Sequence, residues 1–432
     1  MNGTRLGMEG ARARRFVHAA LALAAALVSV AAPSRARAAV ITQVSPTTSV
    51  GATSNTQALA NGSASTFSAV SVNAQLRLDY PRVRHSVSAG LTYAYYFASG
   101  SQPSYSGNLS ASSGFDITNA LGLTLTAGSI ISRTSSVGTT SVPGQAALPG
   151  SRLYVASSAG QGLGYQATQR LRLAQSFGVS RVDYLSESLQ ASPGGRPSTA
   201  LSAGLRADYS WLINGASFDV SGTDLIAGPG TDPLGNPVLG GHTLLGQATV
   251  GWHHDYSPLW SSELRAGMGW MQPPSGKVTP LPAGSASLDY RRFPWNAGLT
   301  LSHAPVANMF VGTATVNDQA ILRLTYPLDR GELVVVSGSA SYTRARAADS
   351  SDPLASLYNY NQISAGGALS VRFRELPLYG SASYTLMDQI GTAPMGGNST
   401  LSLVRHVVLI NLTAAFSWGP GTPPLMGGGM VQ

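Results

Sequence analysis

From residue 65 onward the chain keeps one beat: about ten residues of alternating character, a tight turn with an aromatic beside it, about ten more, then a longer Gly/Pro/Ser stretch. The tight turns begin near Pro81, Thr118, Gln166, Leu212, Ser257, Arg291, Pro327 and Arg374, so successive gaps are 37, 48, 46, 45, 34, 36 and 47 residues. Strands that cross a bilayer need this pattern, because each must show lipid one apolar face and a lumen one polar face. The beat predicts an all-β chain, a transmembrane antiparallel up-and-down β-barrel.

Composition closes the other routes. Charged residues make up 11% of the chain and Gly supplies 49 of its 432 residues, with Ser, Thr and Gly where a soluble protein carries Lys and Glu. No helical amphipathic period runs through it. A disordered chain would share the low charge but lack the aromatic and β-branched alternation. After the N-terminal segment no apolar run approaches the ~20 residues of a membrane helix, and only a closed barrel otherwise satisfies every backbone group in lipid. The absence of cysteine excludes a lipoprotein anchor, disulfides and thiolate metal sites.

The N-terminus reads as a secretory signal. Arg12, Arg14 and Arg15 form its basic region, Phe16 to Ala32 its apolar core, and Ala36-Arg37-Ala38 its cleavage site. Residues 1–38 are therefore the expected signal, 39–418 the barrel and 419–432 a Gly/Pro-rich periplasmic tail. Arg14-Arg15 has poor flanks for twin-arginine export. The segment carries six Arg (5, 12, 14, 15, 35 and 37) against Glu9, which is +5 of the formal +8. The mature chain is thus about +3, and its basicity is no argument for nucleic acid.

Alternation assigns the faces. Val70, Val72, Ala74, Leu76, Leu78 and Tyr80 point one way, and Ser71, Asn73, Gln75, Arg77 and Asp79 the other. The apolar set is expected against lipid; a soluble sandwich would bury it instead. Aromatics recur beside the tight turns at Tyr80, Phe115, Tyr165, Trp211, Tyr256, Trp260, Tyr290, Phe293, Trp295, Tyr326, Phe373 and Trp418, as an interfacial girdle would. A strand preference of aromatics is the plainer account, but it does not explain their constant distance from the turns. Long connections are expected at Gly138–Gly150, Ser192–Ser198, Ala227–Gly241, Gln272–Pro282, Ala347–Leu357 and Ile390–Asn398. Eight tight turns give sixteen strands. A weak first strand at Thr47–Leu59 and a last one at His406–Trp418 make about 18, with 16 to 20 as the range.

On the polar face near the turns lies a belt of charge. It comprises Arg77, Arg172, Arg206, Arg265, Arg291, Arg323 and Arg372, with Asp79, Asp208, Glu263 and Asp289. Seven Arg against four carboxylates predict a positive constriction near the periplasmic mouth, favouring anionic solutes. The alternative is a ladder of cross-strand charge pairs bracing the wall. His253-His254-Asp255 does not form a metal site on a regular strand, because adjacent side chains diverge. No catalytic motif, cofactor or metal is expected. The stretch Ala39–Ala64 is too short for the plug of an uptake receptor, and there is no long passenger segment.

Over Ala39–Trp418 the chain resembles Gram-negative outer-membrane β-barrels. More loosely it resembles the barrels found with exopolysaccharide export systems, especially the 18-stranded kind in myxobacteria. The features are the strand count, the small-residue lumen, the missing plug and the closing strand Arg405–Trp418. That resemblance implies a periplasmic polysaccharide-export protein as partner. Beside it stand outer-membrane lipid, lipopolysaccharide and the barrel-assembly machinery. In that family the assembly signal ends on a terminal aromatic, whereas here Phe416 and Trp418 precede a 14-residue tail. A passive porin and a closed structural or adhesive barrel are the competing uses.

Overall fold

A computed structural model describes residues 39–55, 64–98, 103–133, 153–185, 196–231, 237–274, 276–292, 294–310, 312–329, 333–348, 359–373, 376–392 and 400–418. The expected signal and tail, Phe293 and most of the long connections lie outside these residues.

Nine strands build the first half: β1 (Ala39–Thr53), β2 (Ser65–Asp79), β3 (Val83–Tyr96), β4 (Ser104–Asp116), β5 (Leu121–Arg133), β6 (Leu153–Gln166), β7 (Leu171–Tyr184), β8 (Ser198–Trp211) and β9 (Asn214–Ala227). A small hairpin, β10 (Gly230–Thr231) and β11 (Pro237–Val238), stands in the connection that follows. Nine more complete the wall: β12 (Gly241–Ser257), β13 (Trp260–Gln272), β14 (Thr279–Arg292), β15 (Trp295–Asn308), β16 (Thr313–Pro327), β17 (Val334–Ala347), β18 (Tyr360–Arg372), β19 (Leu378–Thr392) and β20 (Thr400–Ala414). The short β21 (Phe416–Trp418) continues β20 past Ala415 in one register against β1, Thr47 opposite Thr413 and Thr42 opposite Trp418. Each strand pairs with its sequence neighbours and β1 closes on β20, giving a closed, antiparallel, 18-stranded barrel. Closure leaves no edge, the condition for backbone placed in lipid.

The register carries the two faces all the way round. Leu91, Leu205, Val250 and Ile410 stand on the outer face with more than 60% of their surface bare. A band of such residues has its natural solvent in lipid, so this is a transmembrane barrel of the outer-membrane type. The inner face is mostly Ser, Thr, Gly and Ala, stitched by hydroxyl pairs such as Ser86–Ser112 (2.8 Å), Ser88–Ser110 (2.6 Å) and Ser341–Ser364 (2.6 Å).

Several boundaries differ from expectation. The first strand is β1 from Ala39, the expected mature start, rather than Thr47–Leu59. The last begins at Thr400 rather than His406. The connection expected through Pro282 ends at Pro273–Val278, because β14 starts at Thr279 and takes Pro280 and Pro282 into the strand. β19 likewise runs on to Thr392. A connection of only four residues, between β15 and β16, falls on the long-loop end where loop length gives no warning of it.

Candidate functional site

The lumen divides into two unlike halves. Towards the tight turns its wall is exposed and charged. All eleven residues of the belt sit on inward positions of the register. Most of the ion pairs at this level lie within a strand, and one, Arg84–Asp116, crosses from β3 to β4. Arg77–Asp79 (2.8 Å), Arg206–Asp208 (2.8 Å) and Arg265–Glu263 (2.5 Å) join residues two apart on one strand. The two-residue period places both side chains on the same face, so each pair forms locally. At 52% exposure for the Arg77 side chain, such a pair adds little stability.

The belt is also fuller than the sequence reading allowed. Arg84, paired with Asp116 at 3.1 Å, belongs to it, as do Asp219 and Asp255. The tally becomes eight Arg against seven carboxylates, so the surplus falls from three to one. That surplus is unevenly placed. Strands β2–β9 carry Arg77, Arg84, Arg172 and Arg206 against Asp79, Asp116, Asp208 and Asp219, and cancel. β12 and β13 carry Arg265 against Asp255 and Glu263. The wall from β14 to β18 carries Arg291, Arg323 and Arg372 against Asp289 alone, and these three Arg make no ion pair among the described residues. Positive potential is therefore concentrated on one side.

The outer half is filled. The β14–β15 ladder stops at Gly284–His303, although β14 still pairs with β13 up to Thr279, and β15 with β16 up to Asn308. Above that fork the tip of the β15–β16 hairpin leaves the wall and folds into the lumen. Thr313 to Asn317 are buried on both faces of the strand as a result. Ala314 packs with Leu245 and Met271, inward residues of β12 and β13. Pro305 closes on Gly269, where an added Cβ would meet it at 2.9 Å.

The tip reaches the opposite wall. The Phe310 ring meets Tyr154 edge-on at 5.0 Å, and its carbonyl accepts the Tyr184 hydroxyl at 2.6 Å. Ser180 donates to the Met309 thioether at 3.0 Å, and the Ser198 hydroxyl to the Met309 carbonyl. Gly312, at φ 65°, turns the chain back toward β16 while its carbonyl accepts from Arg196 at 3.5 Å. Only Gly fits there, since a Cβ would lie 2.8 Å from that of Ala227. On the other side of the lumen Phe67 and Tyr96 are buried together, with ring centroids 5.7 Å apart. The sequence reading missed this plug. Its signal was three prolines, Pro280, Pro282 and Pro305, in two neighbouring strands: proline cannot donate to a ladder and marks edges.

The girdle residues among those described face outward beside the turns, several as ring pairs: Trp260–Tyr290 and Trp295–Tyr326, both at 4.5 Å. Tyr80 and Phe115 flank His85, whose Nδ1 lies 2.8 Å from the Ser113 hydroxyl. Both residues are buried, and among the described residues no carboxylate is hydrogen-bonded to that imidazole. His253 turns inward to Asp255 at 3.1 Å, and His254 outward to stack on Trp252.

No protein-family model matches the sequence, and no curated protein matches it. Among solved structures, the fold is similar to the outer membrane protein OpdK of Pseudomonas aeruginosa in its vanillate complex (TM-score 0.48, 10% identity, 88% of this chain and 99% of that one). It is also similar to OpdO of the same organism (TM-score 0.46, 11% identity, 89% and 97%). The siderophore receptor PirA of that organism follows at a TM-score of 0.43, 10% identity and coverage of 87% and 80%.

Proposed function

We propose that the protein is an outer-membrane channel for small, anion-leaning solutes. The observation that carries this reading is the exposed, charged lumen wall at the turn end, with its uncompensated arginines on β14, β16 and β18. Arginine forks bind carboxylate and phosphate in two-point contact, and a charged ring biases which ions enter a pore. The small side chains of the wall leave the cross-section to solvent. The hairpin tip then sets the narrowest passage at the outer end. Export of a polysaccharide fits less well, because a polymer needs a continuous wide lumen and the tip spans it from wall to wall.

The test is the reversal potential of single channels in a planar bilayer under a salt gradient. The wild type is expected to prefer anions modestly. Reversing the uncompensated side, Arg291→Glu with Arg323→Glu and Arg372→Glu, is expected to invert that preference. An unaltered reversal potential in the triple variant would remove the belt from selectivity.

A further inference from the structure

The fork that releases the hairpin also shapes the outer wall. Just below it lies a groove of about 770 Å³ across β12–β17. Small outward residues, Ala266, Gly284, Ala286 and Ala320, make its floor, and Trp252, Leu264, Leu301 and Tyr342 its sides. At its upper edge stands charge on the lipid-facing side of the barrel. His303 and Arg346 both bond Asp318, the latter at 3.0 Å, and Arg344 stands directly across the strand pair from Asp318.

The height of this cluster follows from strand geometry. Asp318 lies nine residues above Pro327, the turn end of β16. A rise of about 3.3 Å per residue and a tilt of about 40° put it roughly 23 Å up an apolar band about 25 Å tall. That is the outer boundary, where headgroups begin. Charge facing lipid is costly unless it is partnered or functional. Asp318 is shared by His303 and Arg346, while Arg344 makes no ion pair among the described residues, so the cluster is left with an excess of cationic donors.

We propose that this groove is a lipid-binding site. It takes one acyl chain of a phosphate-bearing lipid of the outer leaflet, and Arg344 and Arg346 take the phosphate. Apolar walls below and guanidinium forks above match such an amphiphile end for end. The site lies outside the lumen, so it stands whether or not the channel prefers anions.

Native mass spectrometry of the protein purified in maltoside micelles tests it. The probes are hexa-acyl diphosphoryl lipid A, its dephosphorylated counterpart and dodecanoic acid. One diphosphoryl lipid per barrel should be retained, and the dephosphorylated form roughly tenfold less well or worse. Arg344→Gln with Arg346→Gln should cause a similar loss, and Ala320→Phe, which fills the floor without touching charge, should abolish retention. Heat-modifiable migration checks that each variant is a folded barrel, and the wild-type comparison of probes needs no variant at all. Equal retention of the dephosphorylated lipid or of dodecanoic acid would overturn the proposal, as would undiminished binding by the folded double Arg variant.

Discussion

Two halves of one lumen, built from the same eighteen strands, end up with opposite chemistry. Near the turns the inner wall is exposed and charged, with ion pairs within strands, such as Arg206–Asp208, and across them, as in Arg84–Asp116. Near the long loops it is packed: Phe67, Leu225, Met271 and Thr315 are buried completely or nearly so. The strands do not change character halfway. The difference is that the β15–β16 hairpin abandons its neighbour above Gly284–His303 and brings a second layer of backbone into the bore. A barrel wall alone has no core, since its inner face is solvated. An inserted segment turns the upper wall into one.

The comparison is broken or sharpened most forcefully by removing that second layer. Replacing residues 305–316 with an Asn-Gly turn should raise single-channel conductance several-fold, because the upper bore then resembles the lower. Unchanged conductance would show that the tip is not the constriction. A subtler experiment exploits the absence of native cysteine. Joining Ser180→Cys to Met309→Cys with a short bismaleimide should hold conductance at a low, steady level, with any large spontaneous openings lost. Large currents through the linked barrel would mean that solutes pass with the tip in place.

The smallest effect separates the halves by stability. Met271→Ala removes a side chain that is 1% exposed and packed against the tip, and should cost about 2–5 kcal/mol in urea unfolding from lipid vesicles. Gln75→Ala, on the exposed wall near the turns, should stay within about 0.5 kcal/mol. Equal losses at both positions would contradict the picture of one packed and one open half.

Whatever depends on near neighbours in the chain was legible in the sequence. Inward and outward faces follow from a period of two, so the face on which Arg77 to Arg372 stand was legible. The tight turns accounted for sixteen of the 18 strands, and the flanking first and last strands for the other two. The charge tally was less legible: Arg84, Asp116, Asp219 and Asp255 share the face, but no rule of spacing sets apart the residues that crowd one level of a tilted wall. The groove was not legible at all, because its floor combines residues of β13, β14 and β16 that become neighbours only through register.

The sequence by itself determined a closed barrel, which side of each strand meets lipid, and where charge and aromatics gather along the wall. Each of these is set by alternation and by tight turns, interactions a few residues long. Only the tertiary structure decided that a hairpin folds into the bore and where the wall forks. Met309 to Gly312 reads as an ordinary short connection. Its place comes from packing with Tyr154 and Tyr184, more than a hundred residues away in the chain, and from a seam that prolines leave unpaired. Contacts of that range have no period to betray them.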